Sequence, residues 1–131
     1  MSDQQKDLLT GRWRTVRAPA PLEHQLQISL IEHLKWRCKR PDVTYFHVPN
    51  GELRDKRAAA KLKAMGVMPG VSDLEIMFGP HVLFLELKAH RRKLTVAQQL
   101  FGQRMLDHGH YFAWADNIDD AVSILRRYGI L

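Results

Sequence analysis

The chain has 131 residues and a formal net charge of +6, with 45% hydrophobic and 26% charged residues. That length suits one domain with an apolar core, and the composition excludes a disordered or fibrous chain. The basic balance favours a polyanionic partner such as nucleic acid. Cys38 stands alone, which excludes an internal disulfide and fits a reducing cytoplasm, the expected location. No apolar run is long enough to span a bilayer, and Met1–Ala20 has no signal-peptide core.

Residues 1–20 read as a flexible basic arm, with Arg12, Trp13, Arg14 and Arg17 ahead of Pro19 and Pro21. Its interleaved Arg and Trp suit contact with nucleic acid; a tail with one docked Trp is the competing reading. Residues 21–131 read as one domain. Pro21–Cys38 is predicted helical, with Pro21 in the first turn and Glu23, Gln27, Leu30, Ile31 and Leu34 on one stripe. Val43–Val48 is β-branched and aromatic, a strand, and Pro49-Asn50-Gly51 a turn. Leu53–Met65 is predicted as a helix ended by Gly66. Its basic residues Arg54, Arg57 and Lys61 offer a phosphate-contacting face or a merely solvated one.

The centre of the chain is Gly70–Lys88, GVSDLEIMFGPHVLFLELK. Asp73–Phe78 and Val82–Lys88 are strand candidates around a Gly79-Pro80 loop. If they form an antiparallel hairpin, Phe78 pairs with His81 and Asp73 falls opposite Glu86. Opposed residues share a face, so Asp73, Glu86 and Lys88 lie together while Leu85 and Leu87 face the core. Two adjacent carboxylates repel unless a cation lies between them, and oxygen ligands suit Mg2+ or Mn2+. A solvated salt bridge explains the same triplet without a metal. Ala89–Lys93 is a basic loop. Thr95 caps a helix to about His108, with Gly109 beyond. Tyr111–Ala115 is a strand, and Asp116 or Asn117 caps a last helix whose stripe is Ile118, Val122, Leu125 and Tyr128, ending at Gly129. The order is helix, strand, helix, hairpin, helix, strand, helix, an α/β domain with a small mixed sheet flanked by helices.

These pieces resemble the VRR-NUC family of the PD-(D/E)xK nuclease superfamily. The resemblance rests on Glu23, His47-Val48-Pro49-Asn50-Gly51, Leu62–Gly66, Pro69–Leu74, Leu85-Glu86-Leu87-Lys88 and Thr95-Val96-Ala97-Gln98. Ser72 replaces the proline of the superfamily's name. The resemblance implies a restriction-endonuclease-like core of the compact, stand-alone kind found in viruses, including phage, and bacteria. It implies metal-dependent phosphodiester hydrolysis, with Mg2+ (Mn2+ may substitute) held by Glu23, Asp73, Glu86 and the Leu87 carbonyl. Asp73, Glu86, Lys88 and Gln98 would form the catalytic set, with Lys88 acting on the attacking water and Gln98 supporting the site. Asn50, Arg54, Arg57, Lys61, Arg91, Arg92 and Lys93 would contact nucleic acid. The expected activity is a structure-specific endonuclease on branched DNA such as Holliday junctions, working as a homodimer. The alternatives are a nucleic-acid-binding module that keeps the fold without catalysis and a nonspecific or RNA-directed nuclease. Glu75 reads as a solvated charge near the hairpin tip, Glu52 as a helix cap, and His108 with His110 as an H-x-H pair lacking the partners of a zinc site.

Overall fold

The computed structural model describes residues 22–49 and 56–131 with their side chains, and the backbone of residues 3–6 and 13–16. Within the arm, strands β1 (Asp3–Lys6) and β2 (Trp13–Val16) form an antiparallel pair from Asp3↔Val16 to Lys6↔Trp13. No strand is expected here: β1, DQQK, lacks both alternation and β-branched residues, and WRTV, with Trp13, Thr15 and Val16, is only four residues long.

Helix α1 (Glu23–Arg37) follows, with Leu22 as N-cap. Its buried residues are Leu26, Leu30 and Leu34, one per turn. The expected stripe is therefore rotated: Gln27 and Ile31 lie on its flank, half-buried, and Leu26 takes the central place. Burying a leucine at Leu26 avoids desolvating the Gln27 amide. Strand β3 (Val43–His47) and helix α2 (Lys56–Ala64) come next. Gly66 ends α2 at φ +98°, letting Gly66 N–H reach the Lys63 carbonyl and Val67 N–H the Leu62 carbonyl. The predicted start of this helix, with Asn50, Glu52 and Arg54, lies outside the described residues.

Strands β4 (Leu74–Phe78) and β5 (His81–Leu87) form the central hairpin. Its register is Phe78↔His81 through Leu74↔Leu85, which places Asp73 opposite Glu86 one step beyond the ladder. Gly79, first of the two loop residues, has φ +58°. Helix α3 (Val96–Asp107) then crosses over to β6 (Tyr111–Ala115), which runs parallel to β5. Helix α4 (Ile118–Arg127) closes the chain, and it is Asn117 that caps it, accepting from Asp120 N–H at 2.8 Å. The sheet order is β3-β4-β5-β6, antiparallel except at β5-β6.

One face of this sheet is apolar. Leu74, Ile76, Phe78, Leu83, Leu85 and Leu87 pack with Leu26, Leu30 and Leu34 of α1 and with Ala121, Val122, Ile124 and Leu125 of α4. Ile118 and Tyr128 are only half-buried at the margins. The opposite face carries Asp73, Glu75, Phe84, Glu86 and Phe112, and α3 lies on it. Phe101 meets Phe84 edge-on at 5.5 Å, and Gly102 lets the Phe112 ring sit against the helix backbone.

Gly70 sets how closely α3 can approach. A Cβ there would come within 2.3 Å of the Ala97 carbonyl oxygen and 2.8 Å of the Gln98 nitrogen, and its φ is +82°. Gly70→Ala should therefore destabilise the protein by at least ~1–3 kcal/mol from backbone strain alone, since the clash is with backbone that cannot rotate away. A thermal melt checks this; an unchanged midpoint would mean that α3 is not seated on Gly70.

Candidate active site

The site is built where β4 begins and β5 ends. The backbone of Asp73 is fixed first. Its carbonyl accepts from Val48 N–H at 3.1 Å and lies 2.6 Å from His47 Nδ1, so the end of β3 holds it. Ser72, just before it, is fully buried. The Asp73 carboxylate then reaches across the hairpin, where Oδ2 accepts from Leu87 N–H at 2.8 Å. Glu86, its opposite number, is 4% exposed. Glu86 Oε1 accepts from Gln98 Nε2 at 2.7 Å, while Oε2 is buried without a hydrogen-bond partner.

Gln98 ties the cluster together. It is the third residue of α3, and its Oε1 accepts from Thr95 N–H at 2.9 Å while Thr95 Oγ1 accepts from Gln98 N–H at 3.2 Å, a capping box. The same Oε1 accepts from Lys88 Nζ at 3.2 Å. One side-chain amide thus completes a helix start, orients a lysine and restrains a buried carboxylate.

Lys88 is not part of a solvated salt bridge: it is buried, 8% exposed, beneath Gln98 and Glu23, with Nζ 3.7 Å from Glu23 Oε1. It still lines a pocket of about 440 Å3 with Leu22, Glu23, His24, Ala89 and Arg92. Glu23 is half exposed and sits on Lys88. Among the described residues no group of three or more His, Cys, Asp or Glu is close enough to hold a metal ion. The two carboxylates that do meet are Asp73 and Glu86. His24 is a pocket residue that sequence reasoning missed: consecutive helical residues diverge by about 100°, so no pattern joins it to Lys88.

The other expected residues divide by location. Arg57 and Lys61 are exposed on α2. Arg91, Arg92 and Lys93 are exposed in the turn after β5. That turn is pinned by Arg91 N–H to Asp116 Oδ2 at 3.0 Å and by Arg92 N–H to the Ala89 carbonyl at 2.9 Å, with Arg91 at φ +64°. Glu75 is not a fully solvated charge: it is half-buried between Phe46 and Phe84, and burial raises its pKa. His108 caps α3 in solvent and His110 stacks near Phe84 at 5.8 Å.

Burial pushes the Glu86 carboxyl up to about 8, with the neighbouring Asp73 charge as the second cause. Burial also raises Asp73, offset in part by the Leu87 N–H. Without a cation between them, the pair keeps a proton near neutral pH.

The fold, as distinct from the site, has a solved counterpart. A solved structure of a VRR_NUC domain protein superposes with a TM-score of 0.63 at 22% identity, over 84% of this chain and 89% of that one. The chain has the VRR_NUC fold. It is an α/β architecture, a mixed sheet flanked by helices, consistent with a restriction-endonuclease-like core. No protein-family model matches the sequence, and no curated protein matches it significantly. Among the described residues no helix is long and apolar enough to cross a membrane.

The raised carboxyls fix a pH dependence. A Glu86 with pKa about 8 folded and 4.5 unfolded binds more protons in the folded state between those values. Its contribution to stability is therefore greatest at the acidic end of that window and is lost as pH rises through it. In EDTA, the melting temperature should decline across this range more steeply for the wild type than for Glu86→Gln. Parallel profiles would remove Glu86 as the source.

Proposed function

We propose that the protein is a Mg2+-dependent endonuclease that hydrolyses phosphodiester bonds in DNA. The observation that carries this reading is the buried Glu86 Oε2 without a hydrogen-bond partner, beside Asp73 and joined through Gln98 to Lys88. A protein gains nothing by burying two carboxylates together unless something neutralises them. Oxygen donors from one or two carboxylates, completed by water and substrate phosphate, are what Mg2+ accepts. Asp73 and Glu86 would hold the ion, the Leu87 carbonyl is a further candidate donor, and Mn2+ would substitute. Glu23 would join the ion or remain the counter-charge of Lys88. Bound there, the ion would supply Lewis acidity towards a phosphate oxygen.

The side chains supply the rest. Lys88, with two partners, presents its ammonium in one orientation and so places positive charge for the attacking water and the developing phosphorane. Gln98 bridges Lys88 and Glu86, accepting from the first and donating to the second. Arg92 and His24, on the pocket wall, would meet the substrate backbone. The net charge of +6 favours a polyanion. Branched DNA as substrate and a homodimer as the working form follow from the family resemblance; a two-fold pair would present two sites to the paired strands of a junction. Incubating the protein with a four-way junction, a flap, a duplex and single-stranded RNA, with Mg2+, Mn2+ or EDTA, tests the reading. Cleavage that requires the metal supports it; full activity in excess EDTA overturns it.

Lys88→Ala should lower the cleavage rate by about 10²–10³-fold while metal-dependent DNA binding persists, because the carboxylates remain. Single-turnover kinetics beside binding titrations check this, and a wild-type rate would return Lys88 to an ordinary salt bridge. Reversing Arg57 and Lys61 to Glu should weaken DNA binding without lowering the melting temperature, since both are exposed. It should also flatten log Kd against log salt by about one unit of slope per lost phosphate contact. An unchanged slope would make α2 a solvated face.

A further inference from the structure

Strand β6 carries a residue whose position the catalytic cluster does not explain. Tyr111, Ala113 and Ala115 pack against the apolar core. Phe112 lies under α3 at Gly102. Trp114, on the same face as Phe112, remains 41% exposed. The parallel register sets Trp114 beside Glu86, so Asp73, Glu86 and Trp114 form one row across the sheet at strand spacings of about 4.8 Å. Within the four-stranded sheet β6 is an edge, and among the described residues no further strand pairs with it. The basic turn is fastened to the end of this same strand, by Lys88 N–H to the Ala115 carbonyl at 2.9 Å and Arg91 N–H to Asp116.

Other exposed aromatic residues lack this setting. Trp36 donates to Glu32 on the outer side of α1. Phe46 is on β3, the opposite edge of the sheet from Trp114 and from the basic turn fastened to β6.

Resting on the nuclease reading, we infer that Trp114 is a stacking platform for a nucleobase next to the scissile phosphate. The basic turn would hold the adjoining backbone. An indole face accepts any base but only an unstacked one, because a paired base is already covered on both faces. The substrate class is therefore DNA with an unpaired base at the cut, as in a single strand, a flap or a branch point, rather than continuous duplex.

The test uses the full chain carrying Trp13→Phe and Trp36→Phe, which leaves Trp114 as the sole indole of the original three. Its fluorescence is followed in EDTA, so that nothing is cut, against oligothymidylate and against a blunt duplex of equal length. Single strand should quench the emission and duplex should not. In the otherwise wild-type chain, Trp114→Ala should weaken single-strand binding about 10–100-fold and leave duplex binding unchanged, and Trp114→Tyr should restore most of the loss. Absence of quenching by single strand, or equal losses on both ligands, overturns the inference. If Trp114→Ala fails to fold, the fluorescence titration and Trp114→Tyr decide it. Quenching without any Mg2+-dependent cleavage would leave the platform standing and overturn the nuclease reading; cleavage without quenching would do the reverse.

Discussion

The hairpin register between β4 and β5 is the constraint on which the site depends. Side chains alternate with a period of two, so a slip of β5 by one residue would carry Glu86 into the leucine core, bring Leu85 and Leu87 out, and part Glu86 from Asp73. The two-residue loop at Gly79-Pro80 and six apolar side chains on one face hold the register against that slip. The carboxylates are held together by the same hydrogen-bonded ladder that builds the core. The cost of bringing them together is opposed by the burial of a whole sheet face, with the Leu87 N–H on Asp73 and the Gln98 amide on Glu86 adding local support.

Helix α3 is the second requirement. The hairpin alone would leave Glu86 facing water, without the burial that is the first cause of its raised pKa. Burial comes from α3, which approaches the sheet through two glycines, Gly70 in the preceding loop and Gly102 in the helix itself. At its first turn the capping amide of Gln98 is also the ligand of Glu86 and Lys88. Helix start and site are one hydrogen-bond network, so neither can be altered alone.

Much of this was legible in the sequence where the governing interaction is local. Gly79-Pro80 with alternating apolar residues gave the hairpin and its register. Thr95 and Gly109 bounded α3, Gly66 ended α2, and the order of elements from α1 to α4 followed. Tertiary placement was not legible. Leu26 and Gln27 both fit a helical stripe, and only the shape of the core decides between them. Lys88 lies on the expected face, but its burial comes from α1 and α3, whose distance from it no spacing records. The half-burial of Glu75 likewise depends on Phe46 and Phe84 from neighbouring strands. The β1–β2 pair follows from no pattern in its polar residues.

Helix α2 differs in kind from the rest. Its nine residues bury no side chain, its first turn holds no acidic residue, and Lys56, Arg57, Lys61 and Lys63 are all exposed. Cations in the first turn oppose the helix dipole, and a helix this short is marginal without tertiary packing. An exposed helix of this kind opens at a lower free energy than a buried strand such as β5. An anion resting on its amino end would reverse the dipole penalty and lengthen the lifetime of the helix. Were this segment to bind a polyanion as proposed, helicity and binding would be thermodynamically linked, and ionic strength would act on both through the same charges.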